Sequence, residues 1–303
     1  MHFSFHTLDV FTDVRFGGNP LAVVLGADAL TPEQMQLIAR EFALSETVFV
    51  LKPSNSAHTA SLRIFTPVQE VPFAGHPTVG CAVLLAQLRL RDVGGENDQI
   101  VIFEQGIGIV RVGVRLGPDG AAFAEFQAPK LPQEAGILPP VEQLAAGLGL
   151  IPNEIGFENH RSLCFAAGPA FAFIPVISLE AISKAYVNME HWTSGFDEQG
   201  VVGAYLYTRE CVHTTSTFHA RMFAPTAGVM EDPATGSAAI CLCGAMHYFD
   251  ELPSGTHRRI VEQGYEMGRQ SEIELTTIIE GGKLDSIRVG GTTVAVSEGL
   301  ISV

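Results

Sequence analysis

The sequence Arg63-Ile-Phe-Thr-Pro67 returns as Arg221-Met-Phe-Ala-Pro225, 158 residues further along the chain. The tripeptide Glu104-Gln-Gly106 returns at the same spacing, as Glu262-Gln-Gly264. Two separate matches at one offset indicate an internal duplication, and a period this long is typical of two homologous domains rather than of a solenoid. A chain of 303 residues is also long enough for two hydrophobic cores. The sequence therefore predicts two similar domains.

A buried helix is predicted after each Arg-x-Phe-x-Pro unit. Thr78–Leu88 and Ser237–Tyr248 are apolar on nearly every face, which indicates helices enclosed on all sides. Runs rich in β-branched and aromatic residues predict the surrounding strands. These runs are Ala22–Leu25, Thr47–Leu51, Ser61–Phe65 and Ile100–Phe103 in the first half, and Ala170–Val176, Gly203–Tyr207, Thr217–Phe223 and Glu272–Thr277 in the second. The fold class expected is α+β, with a sheet wrapped around one central helix in each domain.

The domain boundaries follow from a Pro- and Gly-rich segment and from the last strands. Gln127–Pro140 is the predicted linker. Ser286–Val303 is predicted to cross back and complete the first domain. We therefore expect an N-terminal domain of residues 1–127 plus 287–303 and a C-terminal domain of residues 128–286.

Composition argues against several classes of partner. The formal net charge is −15 and the chain has no run of Lys or Arg, which argues against nucleic acid and against an anionic membrane. The opening MHFSFHTLDVFTD lacks the basic and apolar regions of a secretion signal, and no stretch offers roughly 20 continuous apolar residues for a membrane span. The five cysteines are odd in number and form no Cys-x-x-Cys pair. We interpret them as reduced, mostly buried thiols of a cytoplasmic protein.

The starts of the two buried helices are candidate anion sites. Gly75 precedes the first helix, and Gly236 and Ser237 open the second. First-turn N–H groups and the helix macrodipole attract anions, and glycine allows a ligand to approach closely. If the two domains pack about a pseudo-twofold axis, both starts would face one cleft. The alternative is ordinary capping, in which nearby Thr, Asp and Ser side chains only satisfy backbone donors.

Glu46 is the candidate general acid/base. It enters the β-run Thr47–Leu51, where a carboxylate is unfavourable unless it is exposed, paired or functional. Desolvation there would raise its pKa toward the value that a group giving and taking a proton near neutral pH requires. The alternative is a glutamate at the strand edge that simply faces water.

Two further titratable residues accompany the helix starts. Asp232, close to a helix N-terminus, is expected to stay ionised. His76, beside Gly75, is either an acid/base partner or an oxyanion donor. A histidine satisfied by the local backbone is an equally good interpretation of His76.

The motifs at these positions resemble those of a known family. Ser-Glu-Thr-x-Phe at 45–49, the segment from Phe65 to Thr78 and Glu-Asp-Pro-Ala-Thr-Gly-Ser-Ala at 231–238 are similar to the PhzF-like family of phenazine-biosynthesis isomerases. The resemblance also includes the opening Asp-Val-Phe-Thr-Asp and covers essentially the whole chain. It implies a diaminopimelate-epimerase-like fold of two pseudo-symmetric domains, each a mostly antiparallel sheet around a buried helix, and a homodimer.

The same resemblance implies an activity and a set of site residues. A well-known member isomerises trans-2,3-dihydro-3-hydroxyanthranilate by moving a proton between ring carbons without a cofactor. Carried over by position, the family's catalytic Glu, His and Asp fall on Glu46, His76 and Asp232. Its serine falls on Ser237, and its helix-start glycines fall on Gly75 and Gly236.

The helix starts also distinguish two mechanisms of proton transfer. Related racemases and epimerases use one cysteine at each helix start, whereas here Cys81 lies inside the first helix and Cys241 and Cys243 lie inside the second. The chain has no nucleotide-binding glycine motif and no His-Glu-x-x-His zinc motif. The sequence therefore predicts a cofactor-independent, metal-free isomerase that acts on a small anionic carboxylate. The alternatives are a catalytically silent binding protein and an isomerase or epimerase of an amino-acid-like compound outside phenazine biosynthesis.

Overall fold

The computed structural model describes residues 1–90, 96–117 and 122–303 and divides the chain into two compact units. Unit 1 contains Met1–Pro129 and Gly290–Val303, and unit 2 contains Lys130–Val289.

The elements of unit 1 alternate strands with two helices. The strands are β1 (His2–Val10), β2 (Asn19–Val24), β3 (Glu46–Leu51), β4 (Ala60–Phe65), β5 (Glu70–Val71), β6 (Asn97–Gln105), β7 (Gly108–Leu116) and β8 (Ala122–Gln127). The helices are α1 (Pro32–Phe42) and α2 (Gly75–Arg89). Helix α1 starts with a capping box, in which the Thr31 hydroxyl accepts the N–H of Gln34 while the Gln34 side chain accepts the N–H of Thr31.

Unit 2 contains a similar set of strands and more helices. Its strands are β9 (Gln133–Glu134), β10 (Leu163–Ala166), β11 (Ala170–Pro175), β12 (Gly203–Thr208), β13 (Phe218–Ala224), β14 (Val229–Asp232), β15 (Gly255–Gln263) and β16 (Ser271–Glu280). Its helices are α3 (Val141–Leu148), α4 (Leu179–Lys184), α5 (Met189–Gly195) and α6 (Gly236–Asp250). The last strand, β17 (Lys283–Ser302), begins in unit 2 and ends in unit 1.

The sheet of unit 1 closes on itself around α2. Hydrogen-bonded neighbours run from β1 through β2, β3, β4, β6, β7 and β8 to β17, and β17 pairs again with β1. Helix α2 contacts β1, β2, β3, β6, β7 and β8, and most of its 15 residues are buried. Gly80 permits the close approach of helix and sheet, since a Cβ there would lie 2.7 Å from side-chain atoms of Leu21 and Val10.

Unit 2 repeats the same order of strand pairing. In unit 1, β1–β2 is antiparallel, β2–β3 parallel, β3–β4 antiparallel, β4–β6 parallel and β6–β7 antiparallel. In unit 2, β10–β11, β11–β12, β12–β13, β13–β15 and β15–β16 follow the identical succession. Helix α6 contacts β9, β10, β11 and β16, and most of its 15 residues are buried. The predicted fold class, α+β with a mostly antiparallel sheet around a buried helix in each half, is confirmed.

The first residue of each repeated Glu-Gln-Gly tripeptide makes equivalent contacts in its own unit. The Glu104 carboxylate accepts the N–H groups of Ser54 and Asn55 at 2.8 and 2.9 Å. The Glu262 carboxylate accepts those of Val212 and His213 at 2.5 and 3.1 Å. Both loop pairs, like the two glutamates, are 158 residues apart. Each glutamate therefore anchors the loop that precedes β4 or β13.

Two details differ from the sequence-based expectation. Both central helices begin earlier than predicted, at Gly75 and Gly236. In α2 the earlier start is compatible with Pro77, because proline has no N–H to pair and is tolerated in a first helical turn. The predicted linker Gln127–Pro140 is also partly structured, since Gln133–Glu134 forms β9 and pairs with β10.

All five cysteines are free, and four of them are buried. Within the described ranges, no helix combines the length and the apolar character needed to cross a bilayer.

Candidate active site

Glu46 is the first residue of β3, where the strand emerges from the core of unit 1. It pairs in parallel register with Leu21 of β2. The next four residues, 47–50, are all buried, whereas the Glu46 side chain is 20% exposed. Its Oε2 atom lies 3.6 Å from Nε2 of His76. The carboxylate therefore lies at the boundary between an apolar core and solvent.

His76 is the second residue of α2, and its side chain is only 5% exposed. Burial lowers the pKa of this imidazole to about 3, because the charged form would lose its hydration. Among the described residues, Nε2 has no hydrogen-bond partner within range. The ring is therefore neutral near pH 7, and its 3.6 Å contact with Glu46 is not a salt bridge.

The carboxylate of Glu46 and the imidazole of His76 are near each other but do not form a hydrogen bond with each other. A separation of 3.6 Å is longer than the roughly 2.7–3.2 Å of a hydrogen bond, so neither group is committed to the other. A carboxylate can take a proton and return it, and a neutral imidazole has one nitrogen that donates and one that accepts. The pair has the chemical capacity for acid/base catalysis.

The N-cap residues of the two central helices do not cap these helices with their own side chains. The N-cap residues are Ala74 for α2 and Thr235 for α6, and neither side chain bonds a first-turn N–H group. The Thr78 hydroxyl instead donates to the carbonyl of Ala74 at 2.8 Å. Thr235 and Thr78 therefore do not serve as ordinary caps, which was the alternative to an anion site.

The two glycines and the serine of these starts all lie in the first turn of their helices. Gly75 and Gly236 are each the first residue of their helix, and both are buried. Ser237 is the second residue of α6 and is partly exposed. The N-terminal end of each helix carries the partial positive charge of the macrodipole.

Asp232 is the last residue of β14 and lies just before α6 in unit 2. Its Oδ2 atom accepts a hydrogen bond of 2.5 Å from the Thr235 hydroxyl. Its backbone carbonyl accepts one of 2.7 Å from the side chain of Gln263. Thus Glu46, Gly75 and His76 lie around the start of α2, and Asp232, Gly236 and Ser237 lie around the start of α6.

A buried glutamine lies behind each helix start, and neither was singled out from the sequence. Gln105 donates from Nε2 to the Thr78 hydroxyl at 3.0 Å, and Gln263 donates to the Thr235 hydroxyl at 3.2 Å. The glycine that follows each glutamine packs against a proline: a Cβ at Gly264 would lie 2.7 Å from the carbonyl oxygen of Pro233. The available signal was the repeated Glu-Gln-Gly, which indicated only the duplication.

The thiols inside the two central helices are unsuited to proton transfer near neutral pH. Cys81 of α2 is buried, which raises the pKa of its thiol far above the usual range. Burial also raises the pKa of Cys241 to about 12 and that of Cys243 to about 11. These groups stay protonated near pH 7, which argues against a two-thiol mechanism.

Among the described residues, no group of three or more His, Cys, Asp or Glu side chains could hold a metal ion.

Three comparisons with known proteins agree with this fold and these motifs. An uncharacterized isomerase of Mesorhizobium japonicum is 47% identical over 294 residues, with 96% of each chain covered. The trans-2,3-dihydro-3-hydroxyanthranilate isomerase of Pseudomonas aeruginosa is 34% identical over 296 residues, again with 96% of each chain covered. The crystal structure of a Bacillus anthracis phenazine biosynthesis protein of the PhzF family superposes with a TM-score of 0.88 over the whole of both chains, at 27% identity.

The fold and these relatives define the chain as an isomerase. The family described as phenazine biosynthesis-like protein (PhzC-PhzF) matches residues 8–299. The chain belongs to this PhzF-like family, and the resemblance read from its motifs is confirmed.

Proposed function

We propose that this isomerase moves a proton within a small carboxylate metabolite, without a cofactor, and that Glu46 is its general acid/base. The observation that carries the proposal is the position of Glu46 at the edge of the core, 3.6 Å from a buried neutral histidine. A carboxylate at such a boundary can take a proton from a bound molecule and return it. It is also exposed enough, at 20%, to reach a bound molecule.

The other site residues receive supporting roles in this proposal. Neutral His76 assists protonation or donates a hydrogen bond to the intermediate, and Asp232 orients the substrate. The N–H groups near Gly75, Gly236 and Ser237 bind the substrate carboxylate, which needs no cationic side chain. This assignment agrees with the net charge of −15, because backbone dipoles supply the positive potential locally.

The substrate class is proposed from a relative and from the site chemistry. The Pseudomonas aeruginosa relative at 34% identity acts on trans-2,3-dihydro-3-hydroxyanthranilate. We propose a similar cyclic carboxylate with an acidic C–H bond as substrate. Compounds that resemble amino acids belong in the same screen, since removal of an α-proton also requires a general base such as the Glu46 carboxylate.

A homodimeric state is proposed from the family resemblance, and a cytoplasmic location is proposed from the odd number of cysteines without a Cys-x-x-Cys pair. Size-exclusion chromatography with light scattering measures the first, since a dimer of this 32.4 kDa chain has twice the monomer mass. Fractionation of the cells that produce the protein tests the second.

Deuterium exchange followed by NMR tests the catalytic proposal. Wild-type protein, Glu46→Gln and Glu41→Gln are incubated in D₂O with dihydro-hydroxyanthranilate and a panel of cyclic and amino carboxylates. Glu41 is an exposed glutamate of α1, so its substitution is the matched control. We expect exchange with wild type and Glu41→Gln and a loss of about 10³-fold or more in Glu46→Gln, since the residue is the proton carrier.

Two results would contradict parts of the proposal. Exchange that survives in Glu46→Gln removes the assigned role of that residue. If no compound exchanges but some raise the melting temperature, the chain acts as a binding protein for small carboxylates.

A further inference from the structure

The Gln263 side chain is fully buried, and its amide makes four hydrogen bonds. Its Oε1 atom accepts the Tyr205 hydroxyl at 3.1 Å and the N–H of Thr235 at 3.2 Å. Its Nε2 atom donates to the Asp232 carbonyl at 2.7 Å and to the Thr235 hydroxyl at 3.2 Å. The amide cannot be turned over, because the Thr235 N–H can only donate and the Asp232 carbonyl can only accept.

The fixed amide of Gln263 determines which way the neighbouring hydroxyl groups donate their hydrogen bonds. The Thr235 oxygen receives an N–H from Gln263, so its own proton points to Oδ2 of Asp232, at 2.5 Å. At the other end, burial raises the pKa of Tyr205 far above its usual range, so this hydroxyl remains a donor. Donation therefore runs one way, from Tyr205 through Gln263 and Thr235 to the Asp232 carboxylate.

Unit 1 contains a similar arrangement that ends differently. Gln105 donates to Thr78 at 3.0 Å, and Thr78 donates to the backbone carbonyl of Ala74 at 2.8 Å. This shorter chain supports the first turn of α2 and, among the residues that the structure describes, reaches no acidic side chain. The repeated glutamine therefore supports only a helix turn in unit 1, whereas in unit 2 its hydrogen bonds lead to the Asp232 carboxylate.

We propose that Thr235 and Gln263 are positioning residues, which fix the orientation of the Asp232 carboxylate so that it can bind the substrate in one geometry. The inference rests on the proposed function, because it assigns Asp232 to the site. Thr235 and Gln263 act through Asp232 and need no contact with the substrate. A reacting group held even about 1 Å from its place can lose about 100-fold in rate.

Three substitutions and one matched control test the proposal. Thr235→Val removes the hydroxyl with little change in shape, Thr235→Ser restores it, and Gln263→Leu removes the amide. Gln105→Leu is the control, since it makes the same change in unit 1. The readouts are kcat and KM for a compound that exchanges in the deuterium assay, and a crystal structure of each variant.

The two readouts have distinct expected results. Thr235→Val should lower kcat by about 10- to 100-fold and change KM less, whereas Thr235→Ser should stay within about threefold of wild type. Gln105→Leu should lower the melting temperature; it is the control for the orientation of Asp232 and not for kcat, because Gln105 supports the first turn of α2. The Asp232 carboxylate should rotate in Thr235→Val and keep its wild-type orientation in Thr235→Ser and Gln105→Leu. If Gln263→Leu does not fold, Thr235→Val carries the test alone.

The proposal is overturned if Thr235→Val keeps the Asp232 carboxylate in its wild-type orientation, or if its kcat equals that of wild type. A failure of the proposed function looks different. In that case no compound exchanges with wild type, and the crystal structures alone decide whether Thr235 orients Asp232.

Discussion

Oε2 of Glu46 and Nε2 of His76 lie 3.6 Å apart, one side chain reached by solvent and the other almost fully enclosed. The pair joins the first residue of β3 to the first turn of α2. The backbone of His76 is held by the helix, and the backbone of Glu46 is held by a strand of the closed sheet.

The length of the Glu46 side chain should matter as much as its charge. Glu46→Asp keeps the carboxylate but withdraws it by one methylene, so we expect kcat to fall by about 100-fold while binding is largely kept. Steady-state kinetics measure this, with Glu41→Asp on the exposed face of α1 as control. An unchanged kcat in Glu46→Asp would show that this carboxylate does not approach the reacting atom.

His76 should remain neutral throughout the neutral range. Its pKa is lowered to about 3 by burial, so ¹⁵N NMR of the imidazole should show no titration between pH 5 and 9. The unfolded chain binds this proton near pH 6.5 and the folded chain does not. Stability should therefore be lost as pH falls from about 6.5 toward 3, with a slope of up to about 1.4 kcal/mol per pH unit.

The His76 contribution can be separated from that of the carboxylates. His76→Gln lacks the titrating group, so its unfolding free energy should fall less steeply over the same pH range. Equal slopes in wild type and variant would contradict a neutral buried His76.

His219 of unit 2 should behave in the opposite way. Burial alone would lower its pKa, but hydrogen bonds to Glu262 at 2.8 Å and Glu266 at 3.0 Å outweigh that effect and raise the pKa to about 9. Its contribution to stability is complete below about pH 6.5 and is lost as pH rises through 9. The stability gap between wild type and His219→Gln should thus shrink by about 3 kcal/mol between pH 6 and 10. Urea unfolding across this range measures the gap, and a gap that grows with pH is the contrary result.

The glycine after Gln263 should be sensitive for two reasons. Gly264 has φ +80, and an added Cβ would lie 2.4 Å from the carbonyl oxygen of Arg269 and 2.7 Å from that of Pro233. Gly268 has φ +68 and open space around it, so alanine at this position would have only the cost of the left-handed backbone and no steric clash. Gly268→Ala should cost about 1 kcal/mol of unfolding free energy, and Gly264→Ala at least about 2 kcal/mol more. Equal losses in denaturant unfolding would mean that the contacts with Arg269 and Pro233 relax without cost.

The duplication, the fold class and the family could be predicted because they depend on local patterns. Arg63-Ile-Phe-Thr-Pro67 and its repeat set the period, and the apolar composition of Thr78–Leu88 and Ser237–Tyr248 requires enclosure by a sheet. Helix boundaries were less accessible. The bend-permitting Gly75-His76-Pro77 looks like a loop in sequence but forms the first turn of α2.

The contacts of the site could not be predicted, because they depend on tertiary structure. The closeness of Glu46 and His76 follows from the position of α2 within the closed sheet, and no spacing rule relates two residues 30 positions apart. Gln263 ends a β-strand like many polar residues, and only the folded chain shows its amide behind Asp232. The roles given to Glu46, His76 and Asp232 stay predictions until the exchange experiment is done.

The last strand, β17, has a consequence for the order in which the molecule is made. Residues 293–302 pair with β1, near the opposite end of the chain, and they close the sheet around α2. A ribosome releases β1 first and these residues after all of unit 2. During synthesis, the edges of β1 and β8 that pair with β17 therefore stay unpaired while the C-terminal half is translated. These two unpaired edges are the surface of the nascent chain that a chaperone would need to shield from aggregation.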